Sequence, residues 1–374
     1  MNKFLEKAAA FLRETDKLLL FLCIAASTYG CVIVYSATRI NGGYRQILMQ
    51  GGCMIAGVVA ALVISAVDYR KIVKFWPLIA GVSVLLVVLT FFIGYAPSGT
   101  DDKAWLSFGA FSFQPAELLK IAFAITFPLH LVKTKDVNKP LSLLLLILHG
   151  AFPVLLIHFQ GDDGTAIIFA VMFVAMLFAA GLKVRYIAIG AGAVAAMLPV
   201  AWFFVLNEAQ RDRFISLLNP EDDLLGSGWQ QWRGRIALAN GGIFGQGYLH
   251  GPNVQSGTIP EGYNDFIFAS LGEEFGLIGC VVAMLLLAGI CFKILSDSRK
   301  TKDKLGSLLC IGLFAMFASN MLVNIGMVLS LLPVVGVTLP FFSAGGTNLA
   351  CLFLGIGLVL SVYRHREADS LYIR

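Results

Sequence analysis

The sequence is poor in charge. Only 14% of its 374 residues are Asp, Glu, Lys or Arg, whereas 58% are hydrophobic and the mean hydropathy is +0.80. Soluble domains carry about 25% charged residues, so this chain lacks the polar side chains needed to cover a surface in water. The composition excludes a soluble globular protein and indicates an integral membrane protein.

Several familiar motifs are also missing. The seven cysteines lie in apolar runs or at their ends, with no pair in a loop and no C-x-x-C, which argues against a disulfide framework and a cysteine metal site. The sequence lacks G-x-x-x-x-G-K-[ST], so a nucleotide-binding P-loop is excluded. It has no internal repeat of the kind that marks many transporters. No basic patch points to nucleic acid.

The apolar runs are about 20 residues long, which is the length that spans roughly 30 Å of hydrocarbon as a helix. We therefore predict an all-α integral membrane protein, one domain over residues 1–374, built as a polytopic bundle of ten transmembrane helices. The predicted spans are 18–38, 47–67, 75–95, 114–132, 141–159, 164–182, 186–206, 265–292, 307–331 and 345–363.

The distribution of Lys and Arg predicts the orientation. With both termini in the cytoplasm, the inner segments hold 20 of the 28 basic residues and the outer segments hold seven. The net charge of +5 then reflects membrane topology. The one long loop, residues 207–264, lies outside, and its aromatic residues predict that it packs on the outer face of the bundle.

The acids near this loop are costly to keep. A carboxylate in the middle of a bilayer costs roughly 2.5–3.5 kcal/mol on insertion scales, yet Asp265 stands where the loop enters the eighth span. It either caps the helix or lines a hydrated groove that descends from the outer surface. Glu273 and Glu274, deeper in the same span, are interpreted as structural or groove-lining.

Other polar groups also admit two readings. Glu117 and Lys120 are three residues apart on one helix face, so they form a self-neutralising pair or face a hydrated cavity. Asp162 and Asp163 cap the sixth span or hold a cation. The glycines of "ANGGIFGQGYLHG" free backbone amides that can cradle a phosphate. The prolines and glycines of 324–349 line a cavity or form a plain outer turn.

Taken together, the motifs resemble the SEDS family, the group of RodA, FtsW and SpoVE. The resemblance covers nearly the whole chain and rests on an ordered set of segments. These are "IVYSAT", "FSFQPAELLK", "QGDDGTA", "LLGSGWQ", "GGIFGQG", "IPEGYNDFIFASLGEEFGLIG", "NIGM" and "LPFFSAGGTNL".

The resemblance implies a peptidoglycan glycosyltransferase that polymerises lipid II on the outer face of the bacterial plasma membrane, beside a class B penicillin-binding protein. A RodA-like role is favoured over division or sporulation. Asp265 matches the family's essential aspartate and is the candidate general base. No organic cofactor is implied, and Mg²⁺ or Mn²⁺ is an option for neutralising pyrophosphate. The candidate substrate-binding residues are Glu117, Lys120, Asp162, Arg213, Arg233, Lys103, Trp105, Gln230 and Ser343.

The chain departs from the family pattern near the expected substrate face. The departures are Ala104, Gly161, Arg233, Gly234, Asn240 and Ala344. Two other functions therefore stay open at this point. A lipid II flippase would use the intramembrane charges as a polar path, and a catalytically silent scaffold would only support the penicillin-binding protein.

Overall fold

The structure is a computed structural model that describes residues 14–96, 103–109, 111–206, 208–218 and 226–367. Residues 1–17, which the sequence predicts to be a short amphipathic cytoplasmic lead-in, fall mostly outside these ranges. Within them the chain forms fourteen α-helices and one β-hairpin.

The elements follow one another in this order. The first seven helices are α1 Lys17–Thr38, α2 Tyr44–Ala66, α3 Tyr69–Lys74, α4 Trp76–Ile93, α5 Pro115–Lys133, α6 Pro140–Gln160 and α7 Asp163–Ala179. The others are α8 Val184–Val200, α9 Glu208–Leu218, α10 Ser227–Gly241, α11 Pro252–Gln255, α12 Ile267–Lys300, α13 Lys304–Val328 and α14 Gly346–Arg364. Strands β1 Leu106–Phe108 and β2 Phe111–Phe113 form an antiparallel hairpin between α4 and α5.

Each of the ten predicted spans coincides with a helix. In the described part of the chain, nine helical segments are long and apolar enough to cross a membrane; one of them is α8 together with the π-helical turn that follows it, Val184–Phe204. Helix α7, at the sixth predicted span, is apolar but only 17 residues long. The prediction was wrong at the end of the eighth span, because α12 continues to Lys300 through residues that were expected to be an inner loop. The hairpin was not predicted either.

Aspartates begin several of the helices. The carboxylates of Asp16, Asp68, Asp162 and Asp303 each accept a hydrogen bond from a backbone amide two or three residues later. These caps satisfy amides that have no partner within the helix. Proline occupies the first position of α5 and α6, where its missing N–H costs nothing.

The bundle has a central and a peripheral set of helices. Of the most apolar 18 residues in each helix, 83% are buried within the protein in α5 and 78% in α14, against 17% in each of α2 and α4. Helix α13 packs against α5, α7, α12 and α14. The peripheral helices leave large apolar side chains exposed, as expected of surfaces that face lipid.

The described part of the long loop 207–264 packs against the bundle, as predicted, and its placement on the outer side stays a prediction. Its helix α10 lies along α12, and α11 contacts both α1 and α12. Gly234 of α10 fits against Phe266, since a Cβ there would lie 3.0 Å from the phenyl ring.

The loop 241–247 completes a break in α12. At Gly276 the backbone turns to φ 65° and ψ −164°, which interrupts the helical ladder. The amides of Gln246 and Gly247 donate to the carbonyls of Glu273 and Glu274, at 2.9 and 3.0 Å. In return, the amides of Leu277 and Ile278 donate to the carbonyls of Gly242 and Ile243. The loop thus supplies the hydrogen bonds that the broken helix lacks.

Candidate active site

Asp265 lies in a tight turn two residues before α12. The amides of Asn264 and Phe266 both donate to the carbonyl of Glu261, at 2.9 and 3.1 Å. Asp265 does not cap the helix, because the cap position belongs to Phe266 and carries no side-chain hydrogen bond. The capping alternative is therefore excluded.

The Asp265 side chain is half-buried, and one of its two carboxyl oxygens has no partner among the described residues. Its Oδ1 atom is fully buried, and no described residue donates a hydrogen bond to it. Burial, together with the neighbouring Glu261 carboxylate, raises the pKa of Asp265 to about 7, although the amides of residues 265 and 266 partly offset this rise. The side chain of Asn264 donates from Nδ2 to Glu261 Oε2 at 2.6 Å and so holds the Glu261 carboxylate in place.

The turn around Asp265 is fixed from two sides. Asn324 of α13 donates from Nδ2 to the carbonyls of Asp265 and Val337, both at 2.7 Å. Ser343 donates to the carbonyl of Asn264 at 2.7 Å and accepts from the amide of Leu339 at 2.8 Å. The Ser343 hydroxyl is thus already engaged within the protein, and its contacts position the turn.

A second polar cluster lies at the start of α5 and α7. Lys120 Nζ and Glu117 Oε1 are 2.8 Å apart, and both side chains are buried. Asp162 accepts from the Thr165 amide at 2.8 Å and from Gln114 Nε2 at 2.9 Å. The predicted ion pair and the predicted cap of α7 are both present.

The segment between α13 and α14 connects the two clusters. At the α7 end, a Cβ on Gly164 would lie 2.3 Å from the carbonyl oxygen of Val335. At the other end, the amide of Ala344 donates to the carbonyl of Tyr263 at 2.8 Å. Extended backbone therefore runs from the Asp162 cluster to the Asp265 turn, held midway by Asn324.

Two arginines lie near these clusters. Arg213 of α9 lines a cavity of about 350 Å³ with His158 and Asp163 at its polar edge and apolar residues of α6 and α7 around it. Arg233 of α10 stacks 5.0 Å over Trp229 and donates from Nε to the carbonyl of Thr258 at 3.1 Å. In the described part of the chain, its two terminal nitrogens have no protein partner.

The remaining candidates are less closely tied to the site. Lys103 is exposed, and Trp105 joins Tyr95 in a short bridge with an N–O distance of 2.9 Å. Gln230 is half-buried on α10. No contact in the described residues brings these side chains to Asp265.

Glu273 and Glu274 are structural. Glu273 accepts from the amides of Asn253 and Val254, at 3.2 and 2.7 Å, and from the Asn253 side chain. Glu274 accepts from Ser36 of α1 at 2.5 Å and from Gln255 at 3.0 Å. They fasten the outer loop and α1 to α12, so they do not line a hydrated groove.

Several departures from the family pattern have a backbone reason. Gly161 stands where the family pattern has a proline, and it ends α6 at φ 96°, a conformation that proline cannot adopt. Gly234 makes room for Phe266, and Ala104 is buried. Of the six departures, Arg233 is the one charged residue.

These features define a polytopic membrane protein with a half-buried carboxyl, one oxygen of which has no partner among the described residues, and a separate buried ion pair within a helix. Comparison with known proteins agrees. The family profile described as "Cell cycle protein", which covers FtsW, RodA and SpoVE, matches residues 16–368. The chain belongs to this family.

Relatives match over almost the full length. The chain is 33% identical over 361 residues to the peptidoglycan glycosyltransferase MrdB of Escherichia coli K12, covering 95% of each chain. It is 32% identical to the stage V sporulation protein E of Bacillus subtilis, covering 94% of this chain and 97% of that one. A chain from a solved peptidoglycan synthase complex, in which polymerization and crosslinking are coordinated, has a TM-score of 0.82 and 27% identity, covering 95% and 99%.

Proposed function

We propose that the chain is a peptidoglycan glycosyltransferase that polymerises lipid II at the outer face of the bacterial plasma membrane. The observation that carries this proposal is the carboxyl of Asp265, with its unpartnered Oδ1 and its pKa raised to about 7. A general base is most effective when its pKa lies near the working pH. Relatives over the full length of the chain bear the name peptidoglycan glycosyltransferase.

In the proposed reaction, Asp265 takes the proton from the 4-hydroxyl of the acceptor sugar. The acceptor oxygen attacks the anomeric carbon of the donor, and the bond from that carbon to the lipid pyrophosphate breaks on the opposite face. An α-linked donor and a β-linked product require one inversion, so one carboxylate suffices. Such a base contributes typically 10²–10⁴-fold to the rate.

The departing pyrophosphate needs positive charge. Lys120 is already neutralised by Glu117 at 2.8 Å, so we assign it and Asp162 to shaping the site. Arg233 is better placed, because Gly234 beside it packs on Phe266, one residue from the base. Arg213 is the second candidate for this role.

The lipid part of the substrate needs an apolar path. The cavity of about 350 Å³ beside Arg213 is lined by Val154, Leu155 and Ile167 and lies between α6 and α7. It would take a prenyl chain with the pyrophosphate at its polar edge. Lys103, Trp105 and Gln230 remain candidates for contacts with the sugar and peptide parts.

A divalent cation has no ready protein site. Among the described residues, no group of three or more His, Cys, Asp or Glu side chains lies close enough to hold a metal ion. Mg²⁺ usually binds through one or two carboxylates and substrate phosphates. A Mg²⁺ or Mn²⁺ ion would therefore arrive on the pyrophosphate, and no step above depends on it.

The proposed partner is a class B penicillin-binding protein that cross-links the new glycan. This rests on the similarity to the chain from the synthase complex, for which polymerization and crosslinking are described together. We favour a RodA-like role in elongation. The identities of 33% to MrdB and 32% to the sporulation protein are close, so the role is best tested by complementation.

The test is polymerisation of fluorescent lipid II by purified protein with its penicillin-binding partner. Wild type should form glycan strands, Asp265→Asn should form none, and the exposed control Asp136→Asn should match wild type. Equal polymer from wild type and Asp265→Asn would refute the assignment of the base. The absence of polymer from wild type and from both variants would refute the proposed glycosyltransferase activity. Lipid II scrambling in liposomes would then point to a flippase, and its absence to a scaffold.

A further inference from the structure

A second groove lies on the bundle away from Asp265. It has a volume of about 410 Å³ and runs between α4 and α6, with α5 as its floor. Its lining reaches from Leu119 to Lys133 of α5, fourteen residues or about 21 Å along the helix. Apolar side chains such as Phe123 and Phe152 form most of the wall, and Phe152 is itself 52% exposed.

The groove is long and narrow. Its volume of about 410 Å³ extends over about 21 Å of α5, a shape that suits one acyl chain lying along the helix. The opening lies between two predicted spans, where the surrounding molecules are lipids.

One end of the groove is polar. Thr126 Oγ1 lies 3.3 Å from His149 Nε2, and His149 Nδ1 lies 3.0 Å from His130 Nδ1. Nε2 of His130 has no hydrogen-bond partner in the described ranges. Lys133 follows one turn later on α5, is exposed, and forms no ion pair with any described residue.

This polar end is also basic. Lys71 and Lys74 lie in α3, just before α4, and Lys135 and Lys139 lie between α5 and α6. It is the end of the bundle that the charge distribution predicts to be cytoplasmic. Trp76 lines the groove at the start of α4 and is 40% exposed. Tryptophan is enriched at membrane–water interfaces, which agrees with a headgroup site at this end.

We infer that this groove binds one anionic phospholipid of the inner leaflet, with an acyl chain along α5 and the phosphate at Lys133 and His130. The basic end attracts anionic headgroups, which the cytoplasmic leaflet supplies. Lipid II does not suit the site in this orientation, because its pyrophosphate must reach Asp265 at the other end of the bundle. The exclusion of lipid II rests on the function proposed for Asp265, whereas the assignment of an anionic phospholipid rests on the groove and its basic end.

The headgroup assignment is tested by native mass spectrometry of the purified, delipidated full chain, titrated with dioleoylphosphatidylglycerol or dioleoylphosphatidylcholine. Wild type should bind one phosphatidylglycerol at least several-fold more tightly than phosphatidylcholine. Lys133→Gln should reduce this preference severalfold, whereas Lys302→Gln, an exposed lysine outside both the groove and its basic end, should retain it. Equal binding of the two lipids by wild type, or an unchanged preference in Lys133→Gln, would overturn the proposal.

The location is tested by filling the groove. Ala80→Phe and Ala122→Phe place a ring in the lining, and Val59→Phe places one on the exposed face of α2. Both filling variants should lose the bound phosphatidylglycerol, and Val59→Phe should keep it. Ala122 is buried, so a phenylalanine there can disturb the packing of the protein. If Ala122→Phe does not yield monodisperse protein, the result for Ala80→Phe is used, because Ala80 is only half-buried. Retention of the lipid by Ala80→Phe would overturn the location.

Discussion

Asp265→Asn should stabilise the protein at the same time as it abolishes catalysis. Asn keeps the shape of the side chain but cannot ionise. In the wild type, the native pKa is raised from 3.8 to about 7, so the folded state holds its proton more tightly than the unfolded state does. The wild type therefore loses stability as the pH rises from about 4 through 7, and the variant does not.

The size of the effect follows from the shift. At 1.36 kcal/mol per pKa unit, the variant should gain up to about 4 kcal/mol at pH 8 and only about 1 kcal/mol at pH 4.5. With an unfolding entropy of ~2.1 cal/mol/K per residue over 374 residues, these gains correspond to about 5 °C and about 1 °C in Tm.

Thermal unfolding in detergent, followed by tryptophan fluorescence at both pH values, measures these differences. Asp136→Asn is the matched control, because Asp136 is exposed between α5 and α6. It should change Tm equally little at pH 4.5 and pH 8. A Tm difference between wild type and Asp265→Asn that does not grow with pH would show that the carboxyl is not held against its charge, and the argument for a tuned base would fail.

Four further outcomes are expected. Polymerisation by the wild type should rise about tenfold from pH 6 to a plateau near pH 8, because the base must be ionised. Glu261→Gln should move the midpoint to lower pH without reaching the ordinary range, since burial is the larger cause of the shift. Gly245→Ala should lower Tm much more than Gly257→Ala. Both glycines have positive φ, but only at Gly245 would a Cβ meet a backbone oxygen, at 2.2 Å. Equal losses of Tm would contradict the docking of the loop. Glu117→Gln should destabilise by about 3–5 kcal/mol by leaving Lys120 buried without its partner, and the double variant Glu117→Gln/Lys120→Met should recover part of this in a double-mutant cycle.

The sequence predicted what depends on local pattern. Each of the ten spans lies within a few residues of a helix, because apolar run length and capping are properties of neighbouring residues. The pairing of Glu117 with Lys120 follows from their spacing of three on one helix, and it is present at 2.8 Å. Asp162 likewise caps α7, which was one of the two alternatives for this residue, the other being a cation site.

The features that were missed depend on distant partners. The break at Gly276 exists because the loop at Gly242 and Ile243 returns more than thirty residues along the chain to pair with it, and no local pattern shows such a return. The same contacts use the amides of Gln246 and Gly247, which the sequence offered as a phosphate cradle. Ser343 was a candidate for substrate contact, but its hydroxyl is engaged by Asn264 and Leu339, which only tertiary structure reveals.

The break in α12 has a consequence for the order of assembly. A backbone group left without a hydrogen bond in lipid costs several kcal/mol, and Gly276 leaves such groups on both of its sides until the loop docks. Before the loop docks, a continuous α12 is therefore more stable than the broken helix, because it forms these hydrogen bonds within itself. The kinked form becomes favourable only once residues 241–247 have folded back onto α12. The shape of this membrane helix is thus determined by tertiary packing, through a segment synthesised before it.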